Sequence, residues 1–339
     1  MVATQATPTI QRRSGLRQID IHNDLGAIAD LIDEAFADDL DAAGRASLRE
    51  LRAMARLGPL LYLMIPPGAE MGGYFRGFVW EAEGEVVGNI TLQQLDSYGQ
   101  RWMIANVAVR RAFRGRGIAR GLMDAALDRI GQWGGEWATL QVRHDNQVAR
   151  GLYERMGFAP VLAETHHRAA AVPDLPPPPL PADVALHPLS DRDQQAVHYL
   201  ARQAMPELAR WWNARRHNDL GHFTDAGVTR LWGRMSGQGF RQRLGLWRAD
   251  ELLGMVDADS RPRGEHRLDL LLLPTEVGCW ERTLALHGLA CLRDYPHRAV
   301  IATSVDYQPD AADVLASCGL RPTYTLLTMR RRVRRLSER

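Results

Sequence analysis

The stretch VAVRRAFRGRGIARGL, residues 107–122, concentrates arginine and glycine where an apolar run ends and a helical pattern begins. Val107 to Val109 read as the end of a buried strand, and apolar residues recur at helical spacing from Ile118 onward. Gly115 and Gly117 lie between these two patterns. Glycine permits a positive φ and leaves backbone amides unscreened at the positive end of the new helix. The stretch therefore predicts a loop that binds the oxygens of a pyrophosphate.

Two common phosphate motifs do not fit this loop. Arg120 stands where GxGxxG requires its last glycine, and no lysine follows as GxxxxGK[ST] requires. The predicted loop is thus neither a dinucleotide fingerprint nor a P-loop.

A second pattern lies about 30 residues downstream and completes a family resemblance. The spacing Arg114-x-x-Gly117-x-Ala119 after an apolar strand resembles the R/Q-x-x-G-x-G/A signature of the GNAT superfamily of N-acetyltransferases, which bind acetyl-coenzyme A. The later N-x-x-A-x-x-x-Y-x-x-x-G-F pattern of that family is met by Asn146, Ala149, Tyr153, Gly157 and Phe158.

The resemblance implies a role for each matched position. Backbone groups of the strand end would bind the pantetheine arm, the arginine and glycine loop would bind the pyrophosphate, and Asn146 would contact the cofactor arm. Tyr153 would donate a proton to the departing thiolate, and the Val109 amide would face the thioester oxygen. The implied cofactor-binding residues are Val107, Ala108, Val109, Arg114, Gly115, Arg116, Gly117, Ile118, Ala119, Arg120 and Asn146.

The general base is where the chain departs from the family. An ammonium with a pKa of about 10.4 must lose a proton before it attacks a thioester. Many relatives carry a glutamate on a central strand, but Asn106 and Gln141 occupy those places. Glu34 ranks first as a substitute because the family's first helix borders the acceptor site. The other candidates, acting directly or through a water, are Asp33, His144 and Asp145.

The chain of 339 residues is long enough for two domains. Residues 171–183 hold six prolines between Pro173 and Pro181, which favour polyproline II. This segment predicts a linker, which at about 3.1 Å per residue could hold two domains roughly 28 Å apart. The predicted domains are residues 1–170, which bind cofactor, and residues 184–339.

The two halves repeat the same order of strand and helix patterns. Gly157 aligns with Gly319 at an offset of 162 residues (319 minus 157), and Ala149 then aligns with Ala311. The predicted fold is α/β (mixed α+β): two tandem GNAT-like domains, each with a mostly antiparallel, twisted and splayed sheet flanked by helices.

The second half has lost the functional positions. The places of Arg114 and Gly117 are taken by Val277 and Trp280, and those of Asn146 and Tyr153 by Gln308 and Leu315. An indole would fill the phosphate loop. We therefore expect this half to keep the architecture without cofactor or chemistry, and to cover the acceptor groove or to pair subunits.

Composition sets the remaining expectations. The net charge of +2 gives no overall attraction to nucleic acid, and no apolar run is long enough to span a bilayer. The three cysteines show no CxxC spacing and no metal-ligand pattern is present, so a cytoplasmic protein without a metal is predicted. The expected partner is a small-molecule or peptide amine, and a homodimer is possible.

The predicted activity is transfer of an acetyl group from acetyl-CoA to a primary amine by direct attack in a ternary complex. Two alternatives stay open. A non-catalytic acyl-CoA sensor would keep the phosphate loop without a base. A nucleic-acid-binding module built on the arginines would bind DNA or RNA with a steep salt dependence.

Overall fold

The computed structural model describes residues 14–37, 42–56, 76–207, 209, 240–260, 264–295, 298–308 and 310–333. Packing divides the chain into two compact units. The first comprises Met1–Leu140, Leu152–Ala159 and Arg330–Arg339, and the second comprises Gln141–Gly151 and Pro160–Met329. The division at the proline-rich segment stays a prediction. Packing places residues 160–170, which the sequence assigns to the first domain, with the second unit.

The first unit holds one sheet with the strand order β1-β2-β3-β4-β5. Its helices and strands, of which β5 and α4 continue into the second unit, are β1 (Gly15–Gln18), α1 (Leu25–Phe36), α2 (Ala42–Arg56), β2 (Arg76–Ala82), β3 (Glu85–Gln94), β4 (Arg101–Val109), α3 (Ile118–Gln132), β5 (Trp137–Arg143) and α4 (Gln147–Arg155). The sequence predicts that acceptor selectivity lies in residues 38–74, which read as irregular. Ala42–Arg56 of this region form α2, and residues 38–41 and 57–74 lie outside the described residues.

Helix α3 is fixed on the sheet by close packing of small and large side chains. Leu122, Met123, Ala126 and Ile130 are fully buried at helical spacing. A Cβ on Gly121 would lie 2.9 Å from the Trp80 ring, so only glycine permits this approach. The N-terminus of α3 is therefore held immediately after the end of β4.

The central strands of the first unit separate partway along their length. β4 and β5 are parallel, but they pair only from Arg101 with Trp137 to Met103 with Thr139. From Ile104 to Val109 the edge of β4 that would face β5 has no strand partner among the described residues. This opening confirms the predicted splayed sheet.

In its described residues, the second unit contains seven strands in the order β12-β6-β11-β10-β9-β8-β7. Its elements are β6 (Ala159–Ala169), β7 (Val184–Pro188), α5 (Gln194–Ala204), β8 (Phe240–Arg248), β9 (Glu251–Ser260), β10 (His266–Leu272), α6 (Glu281–Leu292), β11 (Val300–Val305), α7 (Asp310–Ser317) and β12 (Arg321–Arg332). Here β6, which the sequence assigns to the first predicted domain, pairs antiparallel with β11. The predicted mixed α/β class with mostly antiparallel pairing is confirmed.

The proline-rich segment packs along the second unit and is not a free spacer. Val172, Leu175 and Leu180 contact its hydrophobic core. The Arg293 guanidinium donates hydrogen bonds to the carbonyls of Pro173 and Leu175, and its Nη1 lies 3.3 Å from the Asp174 carboxylate. Proline content indicates an extended backbone, but the apolar residues between the prolines decide where that backbone lies.

Of the helices in the described ranges, none is both long and apolar enough to cross a membrane.

Candidate functional site

A β-bulge interrupts β4 at the opening of the sheet. Asn89 pairs with Ala108 and Thr91 with Ala105, so Ile90 alone faces two residues of β4. One of these two, Asn106, has a φ of 53°. Bulges bend a strand and interrupt its ladder of hydrogen bonds. The bulge therefore changes the course of the backbone just before Val107, where the pantetheine-binding segment is predicted to begin.

Three polar side chains between β3 and β4 fix this bulge. Asn106 Nδ2 donates to Thr91 Oγ1 at 3.0 Å, and Thr91 Oγ1 donates to the Ala105 carbonyl at 3.0 Å. Asn89 Nδ2 donates to the Asn106 carbonyl, also at 3.0 Å. Asn89 and Thr91 are buried. In the sequence, Asn106 stands out only as the residue at the place of a missing base, and no local pattern identifies Asn89 or Thr91.

We expect substitutions at Asn106 to separate backbone strain from the side-chain contact. Asn106→Ala loses the bond to Thr91 and places a Cβ at positive φ without compensation, so the free energy of unfolding should fall by about 1–2 kcal/mol. Asn106→Gly loses the same bond without that strain and should be more stable than Asn106→Ala by about 1 kcal/mol. Urea denaturation measures both values. Equal stability of the two variants would contradict a strained backbone at this position.

The loop after β4 has the backbone geometry of an anion site. Arg111–Phe113 form a 3-10 turn, and Gly115 and Gly117 have φ values of 77° and 79°. A Cβ on either glycine would meet no other atom within 4 Å, so the space beside the loop is open. Gly117 is the N-cap of α3 and provides no side-chain cap. The first amides of α3 therefore keep their capacity to bind an anion.

Arginine side chains surround these amides. Arg114 Nε donates to the Val109 carbonyl at 3.0 Å, and Arg116 Nη2 donates to the Ala112 carbonyl at 3.2 Å. Arg120 lies 3.8 Å from Asp124 on the same helix. Arg114, Arg116 and Arg120 are exposed, so their charges face solvent around the loop. Exposed glycines next to three exposed arginines fit a pyrophosphate, which is anionic and rich in acceptors.

Tyr153 lies on the second half of α4, within the first unit. Its side chain is 6% exposed, and its ring packs edge-on against Phe158 with centroids 6.1 Å apart. Burial raises the pKa of Tyr153 to about 12. The phenol is therefore protonated at neutral pH, which is the state that a proton donor needs.

This pKa predicts a loss of stability in alkali. Between a pH of about 10, where an unfolded tyrosine ionises, and about 12, the folded chain keeps a proton that the unfolded chain has lost. Stability should fall by up to about 3 kcal/mol across this window as pH rises, and it should be unaffected by Tyr153 below it. Denaturation of wild type and Tyr153→Phe along a pH series measures the difference. Parallel curves for the two proteins would contradict the raised pKa.

Asn146 caps helix α4. Its Oδ1 accepts a hydrogen bond from the Ala149 amide at 3.1 Å, and its carbonyl accepts from the Arg150 amide at 3.0 Å. The side chain is exposed. Its Nδ2 makes no hydrogen bond within the described parts of the chain, so the capping role leaves a donor for a ligand.

The candidate bases differ in how far they are already paired. Glu34 Oε1 accepts the backbone amide of Arg111 at 2.9 Å, and its Oε2 lies 3.9 Å from Arg110 Nε. The structure thus brings Glu34 to the start of the phosphate loop. Asp33 accepts from Arg52 at 2.7 Å. The hydrogen bond from Arg143 lowers the pKa of Asp145, which makes that carboxylate a weaker base.

The corresponding loop of the second half has a different geometry. Trp280 is the N-cap of α6, and its indole donates to Glu276 at 2.8 Å. The Gly278 amide donates to Glu281 Oε1 at 2.7 Å, and Glu281 is buried. Two carboxylates thus occupy the place where a phosphate would bind, and they would repel it. No cluster of metal-binding side chains occurs in the part of the chain that the structure describes.

Comparisons with known proteins agree with this geometry. Residues 50–158 match the model of the acetyltransferase (GNAT) family. An N-alpha-acetyltransferase of Sulfurisphaera tokodaii is 31% identical over 102 residues, which is 27% of this chain and 61% of the relative. N-alpha-acetyltransferase 30 of Schizosaccharomyces pombe is 40% identical over 58 residues, 17% of this chain and 39% of the relative. The chain therefore matches less than two thirds of the length of either relative.

Solved structures share the fold over almost the whole chain. A GCN5-related N-acetyltransferase from Sphaerobacter thermophilus superposes with a TM-score of 0.60 at 16% identity and covers 94% of this chain and 95% of its own. A tandem GNAT protein from the clavulanic acid biosynthesis pathway superposes with a TM-score of 0.57 at 16% identity and covers 94% and 99%. Residues 50–158 thus match the GNAT family, and the two superpositions show that the chain shares the fold of these solved GNAT structures.

Proposed function

We propose that the first unit transfers an acetyl group from acetyl-CoA to a primary amine, by direct attack of the amine on the thioester while both substrates are bound. The observation that carries this proposal is the uncapped, glycine-lined N-terminus of α3 at the end of the open β4 edge. The family match supports acyl transfer in general, and the identity of donor and acceptor is part of the proposal.

Cofactor binding follows from two features of the first unit. The amides from Gly115 to Arg120 would bind the pyrophosphate, with the arginine side chains adding charge. Backbone groups of Val107 and Val109, on the open edge of β4, would hydrogen-bond the pantetheine arm. We propose one such site per chain, because Glu276 and Glu281 occupy the corresponding loop of the second half.

Tyr153 would protonate the sulfur when the carbon–sulfur bond breaks. Transfer from a phenol of pKa about 12 to a thiolate whose acid has a pKa of about 8.5 is uphill by about 5 kcal/mol. A turnover of about 10 s⁻¹ corresponds to a barrier of about 16 kcal/mol, so this step fits within the barrier. The nitrogen–carbon bond forms as the carbon–sulfur bond breaks, and the amine proton passes to a base. No cysteine lies in the first half, so no thiol intermediate on the chain is involved.

We propose Glu34 as that base, and Glu34→Gln isolates this role. Glutamine keeps an oxygen that can accept the Arg111 amide but cannot take a proton at neutral pH. The value of kcat/KM at neutral pH should fall about 10- to 100-fold, and the deficit should shrink as pH approaches the pKa of the amine. The matched control is Asp33→Asn on the same helix, which should change kcat/KM less than twofold. A deficit independent of pH would contradict the assignment.

The function itself is tested by measuring release of free thiol from acetyl-CoA with a panel of amines: polyamines, aminoglycosides, amino acids and peptides with a free N-terminus. The peptides are included because two relatives are named N-alpha-acetyltransferases. The chain contains 42 arginines and no lysine, so acetylation of its own lysine side chains cannot add to the thiol release that is measured. Amine-dependent release supports the proposal.

The non-catalytic acyl-CoA sensor remains a second candidate, favoured by the pairing of Asp33 and Asp145 with arginines and of Glu34 with the Arg111 amide. Tight binding of acetyl-CoA without thiol release for any amine would support the sensor. Binding of neither acetyl-CoA nor CoA would contradict both candidates.

A further inference from the structure

An open cleft lies between two central strands of the second unit, and the volume available in it to the centres of water-sized molecules is about 50 Å³. β10 and β11 are parallel but pair only from His266 with Val300 to Leu268 with Ala302, and they separate beyond that point. The cleft lies in this opening. Its lining residues are Met205, Arg241, Met255, Asp257, Asp269, Leu270, Leu271, Thr303, Val305, Tyr307 and Gln308.

A balanced array of charges adjoins the cleft on one face of the sheet. Arg243 pairs across strands with Asp257, and Asp257 pairs with Asp269. The neighbouring row runs from Arg241 through Asp259 to Arg267. Positions two residues apart point to the same face of a strand, so all six charges share that face. Three arginines and three aspartates leave the array without net charge.

The array is fixed by short hydrogen bonds. Arg241 donates to the Asp257 carboxylate through Nε and Nη2 at 2.6–2.9 Å, and Arg243 Nε donates to the same carboxylate at 3.0 Å. Arg267 Nε donates to Asp269 at 2.8 Å. The side chains of Arg243 and Asp257 are each 4% exposed. Burial of a pair of charges is costly, and an apolar pair of the same volume would often be at least as stable.

Some polar groups on the cleft wall remain available to a ligand. Gln308 is 6% exposed, and its side-chain amide has no hydrogen-bond partner among the described residues. The Thr303 hydroxyl and Arg241 Nη1 likewise bond to nothing within the described ranges. Burial lowers the pKa of Arg241, but its hydrogen bonds to Asp257 outweigh burial and the pKa is raised, so the guanidinium stays charged. None of these atoms is sealed from solvent, so each can bond a ligand that enters the cleft.

The lining combines both charges with an apolar wall. Arg241 and the Gln308 amide can donate to a carboxylate, and Asp269 can accept from an ammonium. Met205, Met255 and Val305 offer apolar surface, and methionine adapts to different aliphatic shapes. A phosphate ligand is disfavoured, because the carboxylates of Glu276 and Glu281 lie just before and at the first position of the nearby helix α6.

We propose that this cleft is a second ligand site, which binds a small zwitterion carrying an ammonium and a carboxylate beside an aliphatic group, as an apolar amino acid does. The site is separate from the acetyl-transfer chemistry of the first unit and does not depend on it.

Calorimetry and thermal unfolding with L-leucine and L-methionine as probes test this proposal. Both should bind and raise Tm. Each analogue lacking one charge should bind at least tenfold more weakly: L-leucine methyl ester, which lacks the carboxylate, and 4-methylpentanoate, which lacks the ammonium. Gln308→Leu should weaken leucine binding at least tenfold, whereas Gln195→Leu, at an exposed glutamine in the same unit, should not change it.

Two further variants keep the test decisive. Thr303→Val removes a second available group with little change in volume, and it should weaken binding if Gln308→Leu does not fold. Gly117→Trp, in the first unit, should bind leucine as wild type does, even when it no longer binds CoA. Absence of heat and of a Tm shift with both amino acids would overturn the proposal, as would equal binding of the ester or the acid.

Discussion

Tyr153→Phe is expected to lower kcat for acetyl transfer by about 10²- to 10³-fold while changing the Kd of CoA by less than about twofold. The substitution removes one oxygen from a side chain that is 6% exposed and keeps the ring against Phe158. The fold and the cofactor contacts should therefore persist, and only the proton donor is lost.

The direction of the effect follows from the protonation of the leaving group. Without the phenol, the thiolate must leave as an anion or take a proton from water, and both routes raise the barrier. Because burial raises the pKa of Tyr153 to about 12, the wild-type phenol stays protonated throughout the neutral range. Ionisation of Tyr153, which removes the proton to be donated, should therefore not limit the wild-type rate until pH approaches 12.

The measurement is steady-state thiol release at saturating acetyl-CoA, with Tyr98→Phe as the matched control. Tyr98 is 85% exposed and lies between β3 and β4, so its hydroxyl has no expected role. Wild-type kcat in Tyr153→Phe would remove Tyr153 from the chemistry. A large rise in the Kd of CoA would show that the Tyr153 hydroxyl binds the cofactor and does not act as the proton donor.

Gly117→Trp is expected to weaken CoA binding at least 100-fold. The indole would occupy the open space beside the N-terminus of α3, where Trp280 stands at the corresponding helix of the second half. Loss of two charge-assisted hydrogen bonds, each contributing about 1.5–3 kcal/mol, corresponds to a 10²- to 10⁴-fold change in Kd.

Gly134→Trp separates this effect from backbone strain. Gly134 follows the other end of α3 and has a φ of 78°. A Cβ at Gly134 would meet no other atom within 4 Å, as at Gly117. Both variants should lose similar stability, but only Gly117→Trp should lose CoA. Equal Kd values for the two variants in calorimetry would contradict an anion site at α3.

Local signals in the sequence account for the parts of the site that could be predicted. Glycine spacing and helical periodicity predict the loop, the start of α3 at Ile118 and the end of β4 at Val109, as the structure shows. The hairpin between β2 and β3 follows from Glu83 and Gly84, which both have positive φ. These features depend on residues within a few positions of each other, so the chain itself encodes them.

Other features depend on cross-strand register, which local patterns do not contain. The hydrogen bonds at the β4 bulge join Asn89 and Thr91 to residues that are 14 to 17 positions later in the sequence. In the sequence, these polar residues look like ordinary strand residues. The partner of β6 is β11, where Thr165 meets Ser304. The proline-rich segment shows the same limit, since composition predicts its conformation but not the surface against which it packs.

The central claim is most directly tested by titrating CoA into the wild-type chain in a calorimeter and measuring the number of sites. The open loop after β4, and the carboxylates of Glu276 and Glu281 in the corresponding loop of the second half, predict one site per chain. Two equivalent sites, or no binding, would contradict this account.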